Sequence, residues 1–272
     1  MEFFLNLLRS VAYGIIEGVT EWLPISSTGH MILAEQVLKF SFSAEFMEMF
    51  RVVIQLGAIL AVVVLYFKKL WPFCADNGRD SGFSRHFRWP VVRLWCKIIV
   101  ACVPAAVLGL LLDDWLDAHL YNSITVALML IIYGIAFILI ERRPRVPTTT
   151  KLSRITYKQA LIVGAWQVLA LIPGTSRSGS TIIGGLLCGM SRPAASQFTF
   201  FLAIPVMFGW GMVKAIKFFL AGIAMSQVEI VVLVVGIVSA FAMGMIAIRF
   251  LMGYIKKHDF KIFGWYRIVL GV

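Results

Sequence analysis

The chain has 272 residues, of which 60% are hydrophobic and 14% charged, with mean hydropathy +0.88. Soluble domains carry nearer ~25% charge, and no soluble core of this length hides so much apolar surface, so a water-soluble globule is excluded and lipid is the expected solvent. The net charge of +11 then reads as membrane orientation and attraction to anionic headgroups, not as a nucleic-acid surface.

In chain order, the segment Phe3–Pro24 is long enough to cross a bilayer but carries Glu17 and Glu21 in its second half. Each carboxylate facing lipid at mid-depth would cost about 2.5–3.5 kcal/mol. This apolar start lacks the charge order and cleavage site of a signal peptide. The next apolar piece, Met31–Phe40, would reach only about 15 Å as a helix, half the hydrocarbon core. A re-entrant helix–turn–helix hairpin is expected here. Spans follow around Val52–Phe67, Ile98–Leu112 and Ile124–Ile140. Tyr157–Ile172 and Ile182–Met190 then repeat the hairpin pattern, followed by spans around Phe198–Phe219 and Ile230–Leu251 and a short sixth at Phe260–Val272. The expectation is one all-α polytopic membrane domain with about six spanning helices and two re-entrant hairpins.

Basic residues orient it. Lys68 to Lys97, Arg142 to Lys158 and Lys256 to Lys261 are rich in Lys and Arg, whereas Asp113–Ser123 and Ala221–Gln227 have none. The positive-inside rule makes the basic connections cytoplasmic and both termini external. The first hairpin then enters from outside and the second from inside. Ser26-Ser27-Thr28-Gly29 aligns with Ser176-Arg177-Ser178-Gly179 at 176 − 26 = 150, and the same offset sets Glu17 on Gln167 and Phe50 on Phe200. This predicts an inverted-topology repeat, about 1–141 and 151–272, with a site where the halves meet.

The chemistry-bearing residues gather in those two turns. Glu17 and Glu21 are four apart and share a helix face; two carboxylates in lipid call for a cation, and a divalent metal (magnesium or calcium) is the simplest. Pro24 ends the helix, Ser26, Ser27 and Thr28 offer hydroxyls, and His30 follows. The plainer reading is that the hydroxyls cap broken helix ends. In the second turn Ser176, Ser178 and Thr181 with backbone N–H groups form an anion nest beside Arg177, whose guanidinium suits phosphate. Its plainer role is to neutralise Glu17 or Glu21. Joined, the two turns suit phosphoryl transfer. The stretch Asp113-Asp114-Trp115-Leu116-Asp117 spells a magnesium-binding pattern of soluble prenyl-diphosphate synthases but reads as a solvated helix end; His86, His119 and His258 read as surface residues, and the four cysteines as inert thiols.

At EGVTEWLPISSTGH (17–30), VVIQLGAILAVVV (52–64) and PGTSRSGST (173–181) the chain resembles the undecaprenyl-diphosphate phosphatase family associated with bacitracin resistance. The resemblance implies release of the terminal phosphate from a polyprenyl diphosphate lipid, recycling the carrier for peptidoglycan synthesis, with a divalent cation and an outward-facing site in the bacterial plasma membrane. It carries roles onto Glu17, Glu21, Ser26, Ser27, His30, Ser176 and Arg177. The expected mechanism has Ser27 attacking, Glu21 as metal ligand or base, His30 shuttling the proton and Arg177 clamping the phosphoryl group. His30 as nucleophile and a metal-activated water stay open, as does a homodimer. The rival is a polyprenyl-phosphate transporter or flippase, since broken helices in inverted repeats also mark transporters.

The charge asymmetry yields a test. Reporter fusions at Asn77 and Arg145 should read cytoplasmic and one at His119 external; a cytoplasmic His119 overturns the topology.

Overall fold

The computed structural model describes residues 1–75, 78, 82–143, 146–222 and 225–272, with only the backbone at 82, 83, 113, 114, 117 and 219. Asn77 and Arg145, the two cytoplasmic reporter positions, and the basic-loop residue Arg79 lie outside these. Among the described residues the regular elements are helical: α1 (Glu2–Thr20), α2 (Ser27–Val37), α3 (Ala44–Leu65), α4 (Phe67–Leu70), α5 (Trp89–Leu120), α6 (Ser123–Arg142), α7 (Tyr157–Val168), α8 (Arg177–Leu187), α9 (Arg192–Leu220), α10 (Gln227–Tyr254) and α11 (Lys261–Gly271). The protein is therefore an all-α polytopic membrane protein.

Five helices are long and apolar enough to cross a bilayer: Ala44–Leu65, Trp89–Leu112, Ser123–Arg142, Arg192–Phe218 and Gln227–Tyr254. Each contains most or all of one of the five long apolar runs. At the sixth expected span the structure has the 11-residue α11, about 16 Å at 1.5 Å per residue. Exposed Leu60, Val64, Ile99, Val103, Leu110, Ile132, Val238 and Ile246 give the outer face the apolar surface that lipid requires. Four of the helices, α3, α6, α7 and α10, start at side-chain caps. Ser43 accepts from Phe46 N, and Asn122 from Thr125 N; Thr156 with Gln159, and Ser226 with Glu229, form capping boxes, satisfying amide groups that open a helix.

The two halves match in detail. α2 and α8 begin 150 residues apart and are each 11 residues long. The residue before each, Ser26 and Ser176, has φ of 72° and 70°, the only non-glycine residues with positive φ among those described. Such backbone costs about 1–3 kcal/mol each, so its presence at two equivalent serines marks a shared turn. Packing matches too: α1 lies on α10 as α7 lies on α5, while α3 pairs with α9 and α6 with α11. Close approach explains the glycines at these crossings. A Cβ on Gly14 would lie 2.5 Å from Gly236 O, and one on the equivalent Gly164 2.3 Å from Ala101 O.

Leucine at Gly14 or Gly164 must therefore push two helices apart, at a cost of at least about 1–3 kcal/mol. Gly209→Leu, with open space around it, serves as the control. Thermal unfolding in detergent should show both crossing variants destabilised and Gly209→Leu unchanged; equal behaviour of all three would contradict the packing.

Candidate functional site

The segment after each broken helix cannot continue the backbone ladder, so its carbonyls need donors from elsewhere in the protein. Arg267 on α11 supplies them. It is fully buried and donates to Pro24 O at 3.2 Å in the first turn and to Gly174 O and Thr175 O at 2.9 Å in the second, with longer bonds to Leu130 O and Met129 O. Its guanidinium also lies over the Tyr133 ring at 5.5 Å. Ser178 adds a second tie, donating to Glu21 O at 3.1 Å. The turns are thus fastened to each other.

That fastening brings Glu21, Ser27 and Arg177 together. Ser27, the first residue of α2, donates from Oγ to Glu21 Oε2 at 2.9 Å. Arg177, the first residue of α8, reaches Glu21 Oε1 with Nη2 at 3.0 Å and spends Nη1 on Thr199 O at 3.0 Å. Its guanidinium stands 5.9 Å from the Trp22 ring. Both carboxylate oxygens of a nearly buried Glu21 are therefore held, one by the hydroxyl and one by the cation.

Glu17, one helical turn earlier, is buried beside Gln55, which hydrogen-bonds it, and its Oε1 has no partner. A cavity of about 510 Å³ opens here, lined by Glu17, Ser27, Thr28 and Gln55 and by two ion pairs, Arg51–Glu35 and Lys214–Glu48. Trp210 and Tyr121 complete its wall. Phosphate-sized anions would meet Arg51, Lys214 and the start of α2, whose helix dipole favours negative charge.

Several expected site residues sit elsewhere. His30 does not line the cavity. Its Nδ1 donates to Ser26 O at 2.7 Å, which leaves Nε2 to accept from the Tyr266 hydroxyl at 2.7 Å, and the rings stack 5.6 Å apart. Ser26 and Ser176, expected to bind substrate, turn their hydroxyls onto Gly29 N and Gly179 N as helix caps. Ser178 and Thr181 are buried, and Thr181 donates to Arg177 O at 2.8 Å. These hydroxyls bond the backbone of the two broken helices. Arg177 faces Glu21 and not the cavity. The side chains of Asp113, Asp114 and Asp117 lie outside the described part. His119 and His258 bond to their own helices through Trp115 O and Tyr254 O, and the four cysteines are free.

Sequence reasoning missed Arg51, Gln55, Lys214, Tyr266 and Arg267. The signal existed for three: each is a cation within or at the head of an apolar run, where lone charge is costly. Gln55 and Tyr266 carried none.

Comparison with known proteins gives a family. The model of the family described as bacitracin resistance protein BacA matches residues 10–272. An undecaprenyl-diphosphatase of Enterococcus faecalis is 56% identical over 270 residues, covering 98% of this chain and 96% of the relative. One from Desulfitobacterium hafniense is 56% identical, covering 98% and 94%, and one from Streptococcus thermophilus 52%, covering 100% and 93%.

Arg267→Met should leave the carbonyls of both turns without a donor. At about 1–3 kcal/mol for each buried unsatisfied group, it should lower the unfolding temperature in detergent by more than any substitution in the cavity wall. An unchanged transition would mean the turns do not depend on this residue.

Proposed function

Since the chain belongs to the bacitracin resistance protein BacA family, we propose that the Glu21–Ser27–Arg177 cluster and the cavity beside it are where it hydrolyses undecaprenyl diphosphate to the monophosphate. That phosphatase activity serves carrier-lipid recycling in peptidoglycan synthesis and underlies bacitracin resistance. The observation that carries the assignment of the site is the bond from Ser27 Oγ to Glu21 Oε2 with Arg177 on Oε1, a nucleophile, a base and a group that orients the base.

The diphosphate enters between Arg51 and Lys214, which exchange their carboxylate partners for phosphate oxygens. Ser27 Oγ attacks the terminal phosphorus and passes its proton to Glu21. The bond from phosphorus to the bridging oxygen breaks, and undecaprenyl phosphate leaves with the electron pair. Water then attacks the phosphoserine phosphorus, the bond from phosphorus to Ser27 Oγ breaks, Glu21 returns its proton to that oxygen, and the water's oxygen and protons leave with the phosphate. Arg177 keeps Glu21 aimed. His30 acts through its grip on the Ser26 carbonyl, as a positioning residue for the turn that carries Ser27.

A divalent cation fits this site. The unpartnered Glu17 Oε1 is a ready ligand and Glu21 lies on the same helix face; among the described residues no third acidic, His or Cys side chain joins them. Magnesium or calcium with one or two carboxylates completes its shell with water and substrate phosphates. When bound, the ion would neutralise diphosphate charge.

Against the transporter reading stands the second half of the repeat. The cavity residues Glu48, Arg51 and Val52 correspond at the offset of 150 to Phe198, Phe201 and Leu202, all fully buried. The open cavity is thus a feature of one half, and it lies beside a nucleophile and a base, which transport of a phosphate does not require. We read the two halves as an inverted-topology repeat in a bacterial plasma membrane, with the open cavity on the outer side.

Phosphate release from undecaprenyl diphosphate by purified protein, with and without a chelator, tests this. Ser27→Ala should abolish turnover with binding retained. Arg177→Ala should lose about a hundredfold, with little recovered by Arg177→Lys, since a point charge cannot replace a fork. Added metal should partly rescue Glu17→Gln. Near-normal turnover in correctly folded Ser27→Ala would refute the nucleophile, and chelator-insensitive wild type would refute the cation.

A further inference from the structure

At the opposite ends of α3, α5 and α9 from the cavity that holds Ser27, a second cavity of about 430 Å³ is lined by Lys69, Arg88, Lys151, Ser153, Gln197 and the first turns of α5 and α9. Among the described residues no acidic side chain lines it. Three features act together. The cations are held in place: Lys69 Nζ bonds Gln197 Oε1 at 3.3 Å and sits 5.4 Å over the Tyr66 ring, while Arg88 Nη1 donates to Lys68 O at 2.6 Å and Trp71 O at 3.3 Å. Two long helices start at the same cavity, with Pro90 and Val91 of α5 and Pro193 and Ala194 of α9 on its wall, so two positive helix ends converge there. Finally, the cations are interleaved with aromatic side chains, exposed at Phe67, Trp71, Phe73 and Trp89 and half-buried at Phe87. Lys69 lies between Phe67 and Trp71, and Arg88 between Phe87 and Trp89. The rings follow one another from Phe67 to Trp71 at 5.2 Å, to Phe73 at 5.4 Å, to Phe87 at 5.3 Å and to Trp89 at 6.0 Å.

Tryptophan and aromatic belts settle at the level of lipid headgroups, and clustered Lys and Arg at that level attract anionic lipid. An anion-selective cavity set within such a belt meets phosphodiester groups before any other anion. We propose that this cavity binds the phosphate of an anionic phospholipid headgroup, in a site separate from that of hydrolysis. Lys69, Arg88 and Lys151 supply charge, Ser153 a hydroxyl, and the two helix starts orient the phosphate, while the acyl chains follow the aromatic strip into the bilayer.

Native mass spectrometry of the purified full chain in detergent, titrated with phosphatidylglycerol or phosphatidylcholine, tests this. The wild type should retain phosphatidylglycerol preferentially. The triple variant Lys69→Gln/Arg88→Gln/Lys151→Gln should weaken that retention at least tenfold. Ser153→Trp, which leaves every cation in place and fills the cavity, should do the same, and it decides the matter if the triple variant fails to fold. Both should keep phosphate release near wild type. Retention unchanged in Ser153→Trp overturns the site. Displacement of the lipid by inorganic phosphate at equal concentration overturns the lipid assignment in favour of free phosphate.

Discussion

Two stretches of this chain stop being helical inside an apolar molecule, and every carbonyl they release must find a donor within the protein. That constraint organises what surrounds it. Arg267 reaches the first turn at Pro24 and the second at Gly174 and Thr175, so one side chain closes two breaks that lie far apart in sequence. Ser26 and Ser176 take strained positive φ and cap the helices they precede. Much of the polar composition of both turns is consumed in this way. What is left over for chemistry is small: the hydroxyls of Ser27 and Thr28, one carboxylate pair and one guanidinium.

The same closure explains why Glu21 is polarised from two sides. Pinning the turns together leaves the first residues of α2 and α8, Ser27 and Arg177, against one carboxylate. A buried charge is costly unless it is paired or fully hydrogen-bonded; Arg267 meets this with carbonyls, Arg177 and Glu21 with one another. Each supplies the other's partner, and the hydroxyl takes the remaining oxygen. The strain at the serine caps is tolerated because the surrounding hydrogen bonds over-determine it.

Near symmetry in backbone is joined to asymmetry in side chains. The halves share helix starts, turn geometry and glycine crossings, yet where the first half places Glu48 and Arg51 around open space, the second places Phe198 and Phe201 in its core. One half has kept a polar cavity and the other has become packing. At the far ends of α3, α5 and α9 a differently built cavity opens, bordered by Lys69, Arg88 and Lys151.

The sequence by itself determined that lipid is the solvent and that the chain is all-α and polytopic; it counted about six spans, where five helices are long and apolar enough to cross. Composition and run length carry that information because the bilayer fixes how many apolar residues a span needs. The motifs around Glu21, Ser27 and Arg177 also determined the family and the class of reaction. Only the tertiary structure decided which polar residues face a cavity and which repair the backbone. Ser178 and Ser27 are both hydroxyls in a polar turn, and nothing local distinguishes them; one bonds the main chain of Glu21 and the other its side chain. His30 turned to Tyr266, a residue 236 positions away. Arg267 stood out in the sequence as a cation in an apolar run, but its role did not: hydrogen-bond partners scattered along the chain have no spacing, and only folding sets them side by side.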